Sequence, residues 1–237
     1  MGWFVVARVA VMASLAILAV THSSYGEDDW QVIERHTNSG PAESSTASAP
    51  RADGAMSACG EPARPAGEPY KSIVAQLNDM WGTSFPVYES PRAGSPHAHG
   101  GGCIFYNAKY LDSLLQQWMN IKDEDALKPM LYAIFAHELG HLAHADFDSS
   151  ADAVPVKNKE LAADQFAGYT MERLGIRRLD SEEVTRYYQL TGDDFVGHAS
   201  GHGSGEERSA AFQDGWHRAQ VGLSEQGTRP AGGLGQP

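Results

Sequence analysis

The chain has 237 residues, of which 42% are hydrophobic and 20% are charged, and its formal net charge is −12. A chain of this length buries one sizeable core but not two large ones, so a single folded domain is expected. The negative charge argues against nucleic acid or an anionic membrane surface as the main partner, because both repel an acidic protein.

The first segment, residues 1–26, has the pattern of an export signal peptide. A single positive charge at Arg8 precedes an apolar run from Val9 to Val20, and small residues near Gly26 suit a signal peptidase. The apolar run is nearer ~12 residues than the ~20 that a membrane span needs. We therefore expect an exported protein, which in a bacterium would be periplasmic or secreted. An uncleaved anchor is the alternative, and only then is contact with a membrane expected.

Residues 27–69 are rich in Ser, Ala, Pro and Gly, which predicts a flexible linker or a propeptide. The segment contains Cys59, and the other cysteine of the chain is Cys103. In an exported protein these two residues could form a disulfide, but the spacing does not decide between a disulfide and two free thiols.

A folded domain is predicted over residues 70–222, followed by a disordered tail at 223–237. Apolar residues from Ile73 to Trp81 recur at helical spacing and predict a first helix, which ends at Gly82. The domain therefore opens with an amphipathic helix.

Two short strands are predicted next, at Val87-Tyr88 and Cys103–Tyr106. The Gly- and His-rich stretch between them is expected to be a mobile loop, with a second metal site formed by His97, His99 and Cys103 as the alternative. A further amphipathic helix is indicated by regularly spaced core residues: Leu111, Leu114, Leu115, Trp118 and Met119.

The strongest chemical signal is the H-E-x-x-H pattern of His137, Glu138 and His141. Two histidines four residues apart on a helix share one face, so both imidazoles can bind one zinc ion, while Glu138 remains free as a general base. The apolar residues around the motif predict a buried helix with Pro129 in its first turn. Gly140 leaves room there for another backbone or a substrate. A pair of exposed helix histidines is the alternative.

A catalytic zinc site needs a third protein ligand, and Glu160 is the candidate downstream of the motif. It lies on a second predicted helix, where Ala163 and Ala167 form a small stripe that allows close packing against the first metal helix. Asp164 shares the face of Glu160 and is expected to accept a hydrogen bond from the outer ring N–H of a ligand histidine. The alternative is a solvated acidic face without a metal.

These motifs together resemble the bacterial gluzincin-type zinc metallopeptidases, especially the HtpX and CAAX-protease-like group and the related neutral zinc metallopeptidases. The similarity extends from about Tyr70 to about Trp216, and its motifs are residues 103–107, 135–141 and 160–164 and the pair His202 and Arg208. The resemblance implies a zincin-like fold, a zinc cofactor and a protein or peptide substrate. It also implies that the late His and Arg flank the active site.

The expected reaction is hydrolysis of peptide bonds. Zinc would polarise the scissile carbonyl, and Glu138 would take a proton from the attacking water. His202 is the first candidate for a donor to the oxyanion, followed by Arg208 and His198.

The predicted fold is α+β, mainly helical: a zincin-like single domain with a small N-terminal sheet and two central metal-binding helices. The alternative function is a non-catalytic, zinc-stabilised binding module of the envelope, or a degenerate peptidase. A structural zinc site would be closed by a fourth protein ligand, typically cysteine, and no cysteine lies near the motif.

Overall fold

The computed structural model describes residues 56–121, 124–176, 181–193 and 201–228. The predicted signal segment, 1–26, and His198 lie outside these ranges. Within the described ranges, no helix is both long enough and apolar enough to cross a bilayer.

The chain folds into helices packed beside a small sheet. The strands are β1 (Met56–Ala58), β2 (Glu61–Pro65), β3 (Val87–Glu89), β4 (His97–His99) and β5 (Cys103–Tyr106). The helices are α1 (Tyr70–Trp81), α2 (Ala108–Asp112), α3 (Glu124–Ala143), α4 (Val156–Arg173), α5 (Ser181–Thr191) and α6 (Gly205–Thr228). A π-helical segment, Ser113–Trp118, continues α2. The predicted α+β, mainly helical class is confirmed.

The sheet has the strand order β2-β3-β5-β4, and β1 extends it as a hairpin with β2. Strands β3 and β5 run parallel, whereas β2–β3 and β4–β5 are antiparallel pairs. Every residue of β5 is buried, and β4 is an edge strand that contacts α3. This order places the free edge of β4 beside the helix that carries the H-E-x-x-H motif.

Among the described residues, regular structure is already present at Met56, before Tyr70, so the predicted linker contributes the β1–β2 hairpin. Cys59 and Gly60 form its turn, and both have positive φ, which suits the twist of a two-residue hairpin. Cys59 forms a disulfide with Cys103 across a Cα–Cα distance of 6.3 Å. A small second core covers the sheet here: Ala58, Ala63, Ala93, Cys103 and Phe105. Alanines are sufficient for this packing, which explains why the composition of the segment did not indicate it.

Helix α3 is buried over most of its length and forms the centre of the main core. It begins at Glu124, so Pro129 lies inside the helix rather than in its first turn. A Cβ placed on Gly140 would lie 3.1 Å from the Cα of Ala163, so the backbone of α4 occupies the room that this glycine leaves. Helix α6 packs even more closely on α4, because a Cβ on Gly215 would overlap the carbonyl oxygen of Gln165.

Helix α6 begins with a capping box. The Glu207 N–H donates to the Ser204 hydroxyl at 3.2 Å, and the Ser204 N–H donates to the Glu207 carboxylate at 3.0 Å. The helix continues to Thr228, beyond residue 222, where the sequence predicted the start of a disordered tail. Helices α3, α4 and α6 therefore form the layer that carries the candidate site.

Candidate metal centre

Three predicted ligands from two helices converge on one point. The Nε2 atoms of His137 and His141 on α3 lie 3.1 Å apart. Glu160 on α4 places one carboxylate oxygen 3.4 Å from the Nε2 of His137 and the other 3.6 Å from the Nε2 of His141. Atoms bound to one tetrahedral ion at about 2.1 Å are separated by ~3.4 Å. The three side chains can therefore hold one metal ion.

A carboxylate lies beside the Nδ1 atom of each ligand histidine, on the side of the ring away from the candidate metal position. The Nδ1 of His137 lies 2.8 Å from Asp164, and the Nδ1 of His141 lies 2.7 Å from Asp146. If each Nδ1–H donates to its carboxylate, each Nε2 lone pair faces the other ligands, which is the tautomer that metal binding requires. Asp164, which was predicted to accept a hydrogen bond from a ligand histidine, lies beside the Nδ1 of His137. Asp146 was not predicted, because it lies in the α3–α4 connection, where helical spacing carries no information.

A buried ion pair supports Asp164. The Nε and Nη2 atoms of Arg208 on α6 donate to its two carboxylate oxygens at 2.8 and 2.9 Å, and Nη1 donates to the Thr191 carbonyl at 3.4 Å. Each guanidinium nitrogen thus has a protein acceptor. Arg208 also lines the cavity, as its predicted role near the oxyanion requires, but three of its five N–H groups are engaged by Asp164 and the Thr191 carbonyl.

The charges of the site favour a bound cation. Burial alone would lower the pKa of His137, but the carboxylates of Asp164 and Glu160 raise it to about 10. Burial would likewise raise the pKa of Glu160, but His137, His141 and Arg208 lower it to about 2. Without a metal, His137 therefore retains a proton above neutral pH. This proton lies between the Nε2 atoms of His137 and His141, whose lone pairs would otherwise face each other.

Glu138 is held from the opposite side by the sheet. One of its carboxylate oxygens, Oε2, accepts a hydrogen bond of 2.7 Å from the backbone N–H of Ala98 in β4. The sequence predicted a mobile loop where β4 lies. A strand of three residues is too short to produce a recognisable alternation of apolar and polar residues. Antiparallel pairing with β5 fixes β4, and β4 in turn fixes Glu138.

The three candidate ligands and Glu138 line a cavity of about 620 Å³, which is also lined by His202 and Tyr187. The side chain of His202 is partly exposed, and its Nε2 lies 3.8 Å from Glu160. Tyr187 is buried in α5, and burial raises the pKa of its phenol, with a further contribution from the charge of Glu138. No signal in the sequence distinguished Tyr187 as a cavity residue.

The alternative second metal site is not assembled. Cys103 is in the disulfide with Cys59, and His97 instead lies 3.5 Å from Glu61 on β2. Within the described ranges, His137, His141 and Glu160 are the one group of this kind whose donor atoms converge.

Comparison with known proteins does not identify a relative: no family model, no curated protein and no solved structure matches the chain. The resemblance to the gluzincins therefore depends on the motifs, and the function has to be inferred from the geometry and chemistry of the site.

Proposed function

We propose that this protein is a zinc-dependent metalloendopeptidase of the gluzincin type with a zincin-like fold. The observation that carries the proposal is the convergence of two Nε2 atoms and one carboxylate beside Glu138, in an open cavity. Two imidazoles and one carboxylate are a donor set that suits zinc and leaves a further coordination position open.

The residues have distinct roles in this proposal. His137, His141 and Glu160 would hold the zinc ion, which when bound supplies Lewis acidity toward a carbonyl group and lowers the pKa of water. Glu138 accepts a proton from the attacking water and delivers it to the amine that leaves. The Ala98 N–H holds one oxygen of Glu138, so the other oxygen is presented in a defined direction.

Two side chains are assigned to the developing oxyanion. His202 and Tyr187 line the same cavity as Glu138, and both carry donors suited to an oxygen that gains negative charge. Arg208 is assigned a positioning role, since its guanidinium binds Asp164, whose carboxylate lies 2.8 Å from the Nδ1 of His137.

The alternative is a non-catalytic, zinc-stabilised binding module. A structural zinc site is closed by four protein ligands, whereas the described residues supply three converging donors here. A carboxylate that lies beside the ligands without binding the metal, as Glu138 does, suits a general base and is not needed in a structural site. Both features favour the enzyme.

The proposal includes export to the periplasm or the extracellular space. The disulfide between Cys59 and Cys103 supports it, because disulfides persist mainly in oxidising compartments. The apolar N-terminal run gives independent support from the sequence.

The test is digestion of a random peptide library by zinc-loaded protein, by protein treated with a chelator, and by the Glu160→Gln variant, with products identified by mass spectrometry. We expect endoproteolytic cleavage only by the zinc-loaded protein, together with at least a tenfold loss of zinc affinity in Glu160→Gln. Glu172→Gln on the same helix is the matched control and should retain both properties. Stoichiometric zinc with no cleavage of any peptide would favour the binding module.

A further inference from the structure

Two half-exposed apolar side chains lie at the mouth of the cavity. Phe147 is 48% exposed and Val156 is 52% exposed, and both line the cavity that contains the candidate metal centre. Among the described residues, the third large exposed hydrophobic is Val221, which is 43% exposed and lies away from this cavity. Isolated apolar residues are ordinary on protein surfaces, but here two of the three share one opening.

Phe147 stands between the metal centre and the sheet. It lies in the α3–α4 connection, and its ring centroid is 6.5 Å from that of His141. On the other side it packs against the β4–β5 turn, where a Cβ placed on Gly100 would be 3.2 Å from the Cβ of Phe147. A substrate that lies along the edge of β4 would therefore pass this ring.

Val156 stands on the other side of the opening. It is the first residue of α4 and lies four residues before Glu160, so the two side chains share one helical face. Its Cβ is 3.5 Å from the place that a Cβ would take on Gly201, in the segment that carries His202. Phe147 and Val156, which we call the apolar rim, thus border the site from the two ends of the α3–α4 connection.

The lysine and the arginine that line the cavity are both bound by protein acceptors. The Lys159 ammonium donates to the Asp146 carbonyl at 2.7 Å, and Arg208 is paired with Asp164. The carboxylates of Glu138, Glu160 and Asp146 also line the cavity. Both cations thus already have protein acceptors, and a bound zinc ion would offset part of the carboxylate charge. The charged groups therefore do not form a defined pocket for a substrate carboxylate.

We infer that the apolar rim determines specificity, selecting peptide substrates that carry an apolar side chain such as Leu, Met or Phe near the cleaved bond. This inference rests on the proposed peptidase function, whose substrate class it specifies. Burying a substrate side chain against Phe147 and Val156 removes apolar surface of both partners from water, whereas a Ser or Asp side chain gains nothing from this contact.

The test uses two pools of fluorescein-labelled octapeptides that differ at one position, which carries Leu, Met or Phe in one pool and Ser, Asp or Glu in the other. Binding is measured by anisotropy on zinc-loaded protein in a Glu138→Gln background, and kcat/KM is measured on the active protein. We expect roughly tenfold preference for the apolar pool in both measurements. Phe147→Ser and Val156→Ser should each reduce this preference, with zinc content and unfolding midpoint unchanged.

Two controls separate specificity from general effects. Val221→Ser removes a similarly exposed apolar side chain elsewhere and should retain the preference, and Phe147→Leu should restore most of it. Equal binding of the two pools, or a preference that survives in both rim variants, overturns the inference. Selective binding without hydrolysis would support the specificity role of the apolar rim and refute the peptidase function. Hydrolysis without selectivity would refute only the specificity role of the rim.

Discussion

Replacement of Arg208 by methionine separates a positioning role from a direct catalytic one. The side chain of Arg208 is 5% exposed, and it makes two hydrogen bonds, of 2.8 and 2.9 Å, to the fully buried carboxylate of Asp164. Its removal leaves that carboxylate buried without its main counter-charge. Breaking one partner of such a pair typically costs about 3–5 kcal/mol. We therefore expect Arg208→Met to lower the free energy of unfolding by up to that amount, measured by urea denaturation in the presence of a chelator, because protonated His137 remains beside Asp164.

The matched control is on the same helix. Arg218 forms an ion pair with Asp214 at the same N–O distance of 2.8 Å, but its side chain is 33% exposed. Arg218→Met should cost less than about 1 kcal/mol, because exposed ion pairs contribute little. Asp164→Asn combined with Arg208→Met should cost clearly less than the sum of the single changes, since the two residues share one interaction. A urea midpoint of Arg208→Met equal to that of the wild type would refute the reasoning and return Arg208 to the list of direct oxyanion donors.

Three further results are expected. Because the pKa of His137 is raised to about 10 without a metal, zinc binding at pH 8 should release about one proton from this residue. Calorimetry in buffers of different ionisation enthalpy measures the number of protons released, and a histidine with an unperturbed pKa would release only ~0.03 of a proton. Reduction of the Cys59–Cys103 disulfide, which closes a loop of sequence separation 44, should lower the unfolding free energy by up to ~4 kcal/mol. Zinc should remain bound, because its ligands lie on α3 and α4, and loss of zinc on reduction would contradict this. N-terminal sequencing of the mature protein should give a start near Glu27, whereas a chain that retains residues 1–26 in the membrane fraction would indicate an anchor.

Local spacing predicted the parts of the site that lie on one helix. His137 and His141 are four residues apart, as are Glu160 and Asp164, and a helix places such pairs on one face. Both helices are long and well marked, so their ligand faces could be predicted before their packing was known. The close approach that joins the faces also had a local signal, because Gly140 and Ala163 lack bulk where α3 meets α4.

The remaining contacts depend on tertiary structure and had no such signal. The hydrogen bond from Ala98 to Glu138 is donated by a backbone N–H. Its direction depends on the pairing of β4 with β5 and not on the identity of any side chain. Asp146 reaches His141 through the turn of the α3–α4 connection. Tyr187 has the spacing of a core residue and becomes a cavity residue only because α5 packs beside the metal centre.

The most direct measurement of the central claim is peptide hydrolysis by Glu138→Gln, normalised to bound zinc. Gln keeps the shape of the side chain, and its amide oxygen can still accept the Ala98 N–H, but it cannot take a proton from water. We predict wild-type zinc content and a fall in turnover of ~10²–10⁴-fold, the usual cost of losing a general base. Near-wild-type hydrolysis by the zinc-loaded Glu138→Gln protein would show that this site is not the catalytic centre.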